Sequence, residues 1–77
     1  MNKERRKELD KAFSLVGQAK AIIEQCATEE RDAYDNLTEG LQASERGERM
    51  SEAAEALESA DSSLEEVMEN IQNAQGE

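Results

Sequence analysis

The chain has 77 residues, a formal net charge of −10, one cysteine, no histidine and no proline. This length allows one domain with a thin core, since only 36% of the residues are apolar, so self-association or a partner is expected. The acidic balance disfavours direct binding to nucleic acid or to an anionic membrane, because both need a positive surface. No apolar run approaches the ~20 residues of a membrane span, and a lone thiol fits a reducing cytoplasm.

The first predicted element is a helix over residues 3–35. Nine residues follow alternating spacings of three and four, as the a and d positions of a heptad repeat do. Cys26 falls at a d position and is predicted to be a small buried side chain, with no reactive role. Glu30, the only polar member, either fixes the register or marks the point where the seam opens near the loop, and we favour the second interpretation. The nine positions are Leu9, Ala12, Val16, Ala19, Ile23, Cys26, Glu30, Ala33 and Leu37.

Residues 36–45 are predicted to form a loop, because glycine, asparagine and serine interrupt the heptad pattern there. Ser44 is placed to cap the helix that follows it. Leu37 and Leu41 are expected to fold back as an apolar lid over the closed end of the hairpin.

The second predicted helix covers residues 46–74, with boundaries that carry the usual uncertainty of a few residues. An unbroken heptad pattern indicates that one stripe of this helix is buried against a neighbour. The stripe consists of Met50, Ala53, Leu57, Ala60, Leu64, Val67, Ile71 and Ala74.

The distribution of charge indicates how the two helices pair. Residues 1–20 carry six basic and three acidic side chains, whereas residues 51–77 carry eight acids and no base. An antiparallel arrangement places the basic start beside the acidic end, which explains the basic cluster without a phosphate or nucleic-acid ligand. We therefore predict an all-α fold in which residues 1–77 form one antiparallel, coiled-coil-like helical hairpin.

Helix 1 carries more apolar surface than one partner helix can cover. Large side chains flank its seam on both shoulders, and each one left exposed forgoes about 1.5–3 kcal/mol. The simplest remedy is a homodimer of hairpins that forms a four-helix bundle, and the alternative is a heterologous partner on the same surface. The predicted protein interface consists of Phe13, Leu15, Ile22 and Tyr34.

The sequence contains no pattern that predicts catalysis, a metal site or a cofactor. Histidine is absent, so the commonest general base and zinc ligand is missing, and we expect a protein that is not an enzyme. The outward acids of helix 2 are interpreted first as a solvated face. The alternative is that they imitate the phosphates of DNA and inhibit a host nucleic-acid-binding or defence enzyme. This acidic face consists of Glu52, Glu55, Glu58, Glu65, Glu66 and Glu69.

The loop run DNLTEGLQASERGE, residues 35–48, resembles a group of short uncharacterised helical-hairpin proteins of bacteriophage and prophage genomes. Their loop has the form D-N-[LM]-P-E-x-L-Q-x-S-E-[RK]. Thr38 stands where that group usually has proline, and Gly40 stands where a polar residue is common. The group has no established activity. The resemblance therefore implies a context and no mechanism: an accessory protein of a phage or mobile element in the cytoplasm of a bacterial host, where it modulates a host protein.

Overall fold

A computed structural model describes residues 1–76, whose regular structure is entirely helical. The helices are α1 (Lys3–Asp35), α2 (Glu39–Gln42) and α3 (Glu45–Gln75). The two long helices pack along each other in a molecule that measures 57 × 15 × 14 Å. The prediction of an all-α fold is confirmed. The short helix α2, which lies within the segment predicted to be a loop, was not predicted.

Each helix begins at a polar side chain that caps its first turn. The Oδ1 atom of Asn2 accepts a hydrogen bond of 2.7 Å from the backbone N–H of Arg5, and Thr38 plays the same part for α2. As predicted, Ser44 caps α3, with its Oγ atom accepting from the backbone N–H of Gly47 at 3.2 Å. Such caps satisfy N–H groups that have no partner within the helix. With no proline in the chain, the helices then continue for 33 and 31 residues.

The register of the antiparallel pair is defined by contacts near its open end and at its middle. At the open end, the Arg6 guanidinium donates to the Gln75 carbonyl oxygen at 2.5 Å, and the Gln75 amide donates back to the Arg6 carbonyl at 3.5 Å. Further along, the Lys20 Nζ atom lies 3.2 Å from the Asp61 Oδ1 atom. Both contacts belong to the same antiparallel register, because residue numbers rise by 14 along α1 and fall by 14 along α3 between them.

The core between the long helices is very small. Within residues 1–76, only Ala27 and Ala54 are buried apolar residues, with 5% and 0% of their surfaces exposed. The register set by the contacts described above aligns these two alanines across the hairpin. The larger side chains on either side of this alanine pair are half-buried.

The side chains that form the seam between α1 and α3 follow a different phase from the predicted one. The predicted a positions face the seam, but the d positions were wrong by one residue in both helices. Phe13 and Tyr34 face α3 and are half-buried, whereas Cys26, predicted to be buried, is exposed. The seam consists of residues 9, 13, 16, 20, 23, 27, 30 and 34 of α1 and 50, 54, 57, 61, 64, 68, 71 and 75 of α3.

The closed end of the hairpin is covered by backbone rather than by the predicted leucine lid. Leu37 is half-buried, but the side chain of Leu41 remains exposed. Gly47, the only buried glycine in residues 1–76, lies directly beneath the last turn of α2. A Cβ atom at this position would lie less than 3.0 Å from backbone atoms of Leu41 and Gln42. The missing side chain of Gly47 therefore makes room for α2.

Candidate functional site: an apolar face

One side of the hairpin is uncharged over residues 12–26 of α1 and 53–74 of α3. Next to the seam of each long helix runs a second stripe, again with spacings of three and four. In an antiparallel pair, equivalent heptad positions of the two helices lie on the same side, so these two stripes form one continuous surface. We call this surface the apolar face. Its apolar members are Ala12, Leu15, Ala19, Ile22 and Cys26 of α1 and Ala53, Ala56, Ala60, Val67 and Ala74 of α3.

The most exposed large apolar side chains of the long helices lie on this face. Leu15 is 59% exposed, Ile22 is 64% exposed, and Val67 is 41% exposed. The α3 half of the face is built mainly from alanine, while the α1 half alternates small residues with these two bulky ones. The face therefore has ridges on one helix and a low, flat surface on the other.

The opposite side of the hairpin carries the ion pairs between the helices. There the Arg31 guanidinium contacts the Glu58 carboxylate at 3.0 Å, and the Lys20 ammonium reaches Glu65 at 3.5 Å and Glu24 at 3.3 Å. The Arg31 side chain donates two hydrogen bonds to Glu58, and this pairing lowers the pKa of the glutamate and raises that of the arginine. We call this surface the charged side.

A charged layer also crosses the seam itself, where the sequence led us to expect alanines. The side chains of Lys20 and Asp61 are only 20% and 26% exposed. The Asp61 Oδ1 atom is shielded from solvent and receives no directed hydrogen bond within residues 1–76. The positive charge of the nearby Lys20 ammonium offsets the negative charge of this carboxylate. The carboxylates of Asp61 and then Glu24 raise the pKa of Lys20. The signal in the sequence was a pair of opposite charges, Lys20 and Asp61, each directly after a predicted d position of its helix.

The structure separates the four residues predicted to form the protein interface into two pairs. Leu15 and Ile22 lie on the apolar face. Phe13 and Tyr34 lie in the seam against α3 and are half-buried. The Arg31 guanidinium lies 5.8 Å from the centre of the Tyr34 ring, within the range of a cation–π interaction.

The six glutamates of the predicted acidic face are all exposed, and they spread around the outer half of α3. Glu58 and Glu65 pair with cations of α1. The remaining four make no ion pair within residues 1–76, and they span about 26 Å of helix at 1.5 Å per residue. These four are Glu52, Glu55, Glu66 and Glu69.

Glu30 occupies the seam near the loop, at the edge of an open depression that Arg46, Arg49 and Met50 complete. Within residues 1–76, no group of three or more histidine, cysteine, aspartate or glutamate side chains is arranged to hold a metal ion. In the same part of the chain, neither long helix has an apolar stretch sufficient to cross a membrane. No family model, curated protein or solved structure matches this chain.

Proposed function

We propose that this protein is a non-enzymatic binding module that acts by protein–protein contact, and that two hairpins associate through the apolar face into a four-helix bundle. The observation that carries the proposal is the mismatch between what the hairpin buries and what it exposes. Its core consists of Ala27 and Ala54, while Leu15, Ile22 and Val67 lie open on one side. Beyond its half-buried seam, a two-helix chain of this size needs more fully buried surface than two alanines supply.

The loop motif of residues 35–48 supports a biological context for this module. Its resemblance to the loop of short phage and prophage proteins favours an accessory protein of a phage or mobile element. Such a protein would work in the cytoplasm of the bacterial host, where the single thiol stays reduced. Modulation of a host protein is the role that a small helical binding module fits in that setting.

Sedimentation velocity at micromolar concentration tests the association. We expect a dimer, and we expect the double variant Leu15→Gln/Ile22→Gln to shift it toward monomer because it removes apolar area from the face. The matched control, Ser14→Gln/Ala21→Gln, places two glutamines at exposed positions of the charged side and should sediment as the parent does. A helical, cooperatively unfolding monomer at these concentrations would contradict the self-association.

The unpaired carboxylates of α3 favour one second candidate, an inhibitor that imitates DNA. Neutralising Glu52, Glu55, Glu66 and Glu69 to glutamine leaves the Arg31–Glu58 and Lys20–Glu65 pairs intact, so the hairpin keeps its internal charges. On this hypothesis, the immobilised chain retains DNA-binding proteins from a bacterial lysate at low salt, and the quadruple variant does not. Retention that survives the four substitutions, or that is insensitive to salt, would exclude mimicry. The matched control neutralises four exposed acids outside α3, namely Glu4, Glu29, Asp32 and Glu39.

A further inference from the structure

The apolar face differs from the rest of the surface in a way that identifies its partner. The protein carries a net charge of −10, so two copies repel each other unless their carboxylates are kept apart. On α1, residues 12–26 of this face contain no charge, and on α3 the same holds for residues 53–74. The face is therefore the one surface that two copies can bring together without placing acid against acid.

The dimensions of the face agree with this partner. Within a molecule 57 Å long, the uncharged stretch covers about 21 Å of α1 and about 32 Å of α3 at 1.5 Å per residue, so a partner must run alongside both helices to cover it. A partner of the same length covers the whole face, and a second copy of the chain has that length by definition. A two-fold axis then buries the same residues of both chains.

The distribution of large and small side chains distinguishes two ways of stacking the hairpins. If the loops lie at opposite ends, α1 packs on α1 and α3 on α3. Leu15 of each copy then meets Ile22 of the other, while the alanine-rich stripes of the two α3 helices face each other, so the two helix pairs need different spacings. If the loops lie at the same end, each α1 packs on the partner's α3. Ile22 of one chain then lies at the height of Ala56 and Ala60 of the other. Leu15 lies at the height of Ser63 and Val67, and symmetry gives both helix pairs the same spacing.

We propose that the face binds a second copy of this chain with the two loops at the same end, so that α1 of each copy packs on α3 of the other. This inference rests on the proposed function and specifies the partner's orientation. It places Ile22 against Ala56 and Ala60 in both halves of the dimer, and Leu15 beside Ser63 and Val67. It also leaves the acidic outer half of each α3 on the outside of the bundle.

Cys26, the single thiol and exposed on this face, reports the orientation directly. With the loops at the same end, the two thiols lie at the same height on diagonally opposite helices, whose axes are roughly 11–14 Å apart when neighbouring axes are 8–10 Å apart. With the loops at opposite ends and the bulky pair at the centre, they are about 22 Å apart along the bundle axis at 1.5 Å per residue. Residue 26 then lies beside residue 11 of the other copy.

The experiment combines cross-linking by bismaleimidoethane, a short bismaleimide, with sedimentation of the untreated protein. We expect a covalent dimer through Cys26, and no cross-link between the parent chain and an Ala12→Cys/Cys26→Ser chain mixed with it. A sedimenting dimer with the reverse cross-linking pattern would overturn the orientation and leave self-association intact. A folded monomer in sedimentation would overturn both.

Two exposed alanines provide the matched control for the face. Ala19→Glu places a carboxylate on the apolar face, and Ala21→Glu places one on the charged side of the same helix, with the same change in net charge. We expect Ala19→Glu to weaken dimerisation by about tenfold or more and to abolish the Cys26 cross-link, because a charge buried without a partner is costly. Ala21→Glu should dimerise as the parent does and should still form the Cys26 cross-link. Equal loss in the two variants would show that net charge, and not this face, controls association, and would overturn the proposal.

Discussion

Replacing Gly47 by alanine is expected to destabilise the protein, although the same replacement at an ordinary helical position would stabilise it. Gly47 lies in the first turn of α3, so alanine has the better intrinsic helix propensity there, by about 1 kcal/mol. Its new Cβ atom, however, would lie less than 3.0 Å from backbone atoms of Leu41 and Gln42. Backbone cannot rotate out of the way as the end of a side chain can, so α2 must move.

The magnitude follows from what that movement costs. Forcing one extra carbon into a filled site costs about 1–3 kcal/mol. Moving α2 also strains the link through Ser44, whose hydroxyl donates to the Leu41 carbonyl while it accepts from the backbone N–H of Gly47. A weakened cap costs about 1 kcal/mol more. After the gain in propensity is subtracted, we expect the free energy of unfolding of Gly47→Ala to fall by about 1–3 kcal/mol.

Two other helical glycines provide controls for this prediction. A Cβ atom at Gly40 meets nothing within 4 Å, and one at Gly17 meets only the movable Cε atom of Met68 at 3.5 Å. Both alanine variants should therefore gain up to about 1 kcal/mol. Urea denaturation followed by far-ultraviolet circular dichroism, at one fixed protein concentration, measures all three variants. If Gly47→Ala proves as stable as Gly40→Ala, the close packing of α2 on α3 is refuted.

Three further predictions concern charge and association. Lys20→Met leaves the shielded Asp61 carboxylate without its cation and should lower the denaturation midpoint, whereas Lys20→Met/Asp61→Leu should recover or exceed it; a double variant less stable than the single one would contradict this. Because pairing with Arg31 lowers the pKa of Glu58, that carboxylate stabilises the fold above its unfolded pKa and loses this effect as the pH falls through the lowered folded pKa. The stability difference between the parent and Glu58→Gln should therefore shrink below pH 4.5, the ordinary pKa of the group, and a constant difference would disprove the role of the pair. Finally, if folding is coupled to dimerisation, calorimetry should show a melting temperature that rises with protein concentration, and an unchanged value would oppose that coupling.

The all-α class followed from heptad spacing and the absence of proline. Both signals extend over many residues, so an error at one position does not change the predicted class. The exact positions that face the seam could not be predicted in the same way. Ala12, Ala19 and Ala33 form a second apolar heptad pattern, one residue away from the positions that face α3. Large side chains decide between two such phases, since they bury more area than alanine. Greater weight on Phe13 and Tyr34 would have identified the correct seam.

The apolar face was only half predictable for the same reason. Leu15 and Ile22 were recognised as surplus apolar surface on α1. Val67 and three of the alanines that complete the face on α3 are predicted seam residues instead, so their side of the molecule was wrong; these alanines are Ala53, Ala60 and Ala74. The short helix α2 was also missed, because its stability depends on the space above Gly47 and on caps that bind locally, and neither leaves a periodic pattern.

The charged layer in the seam has a consequence for how the chain finds its fold. Sliding α3 along α1 by one heptad would bring Lys20 opposite Ala54 or Met68, and Asp61 opposite Phe13 or Ala27. Each slipped pairing still presents apolar residues at most positions, so apolar burial alone discriminates poorly among them. Each also places Lys20 and Asp61 against apolar neighbours, which disfavours both slipped alignments. The pairing of the helices is thus encoded within the helices themselves. The connecting segment could accordingly be lengthened or exchanged without changing which residues meet.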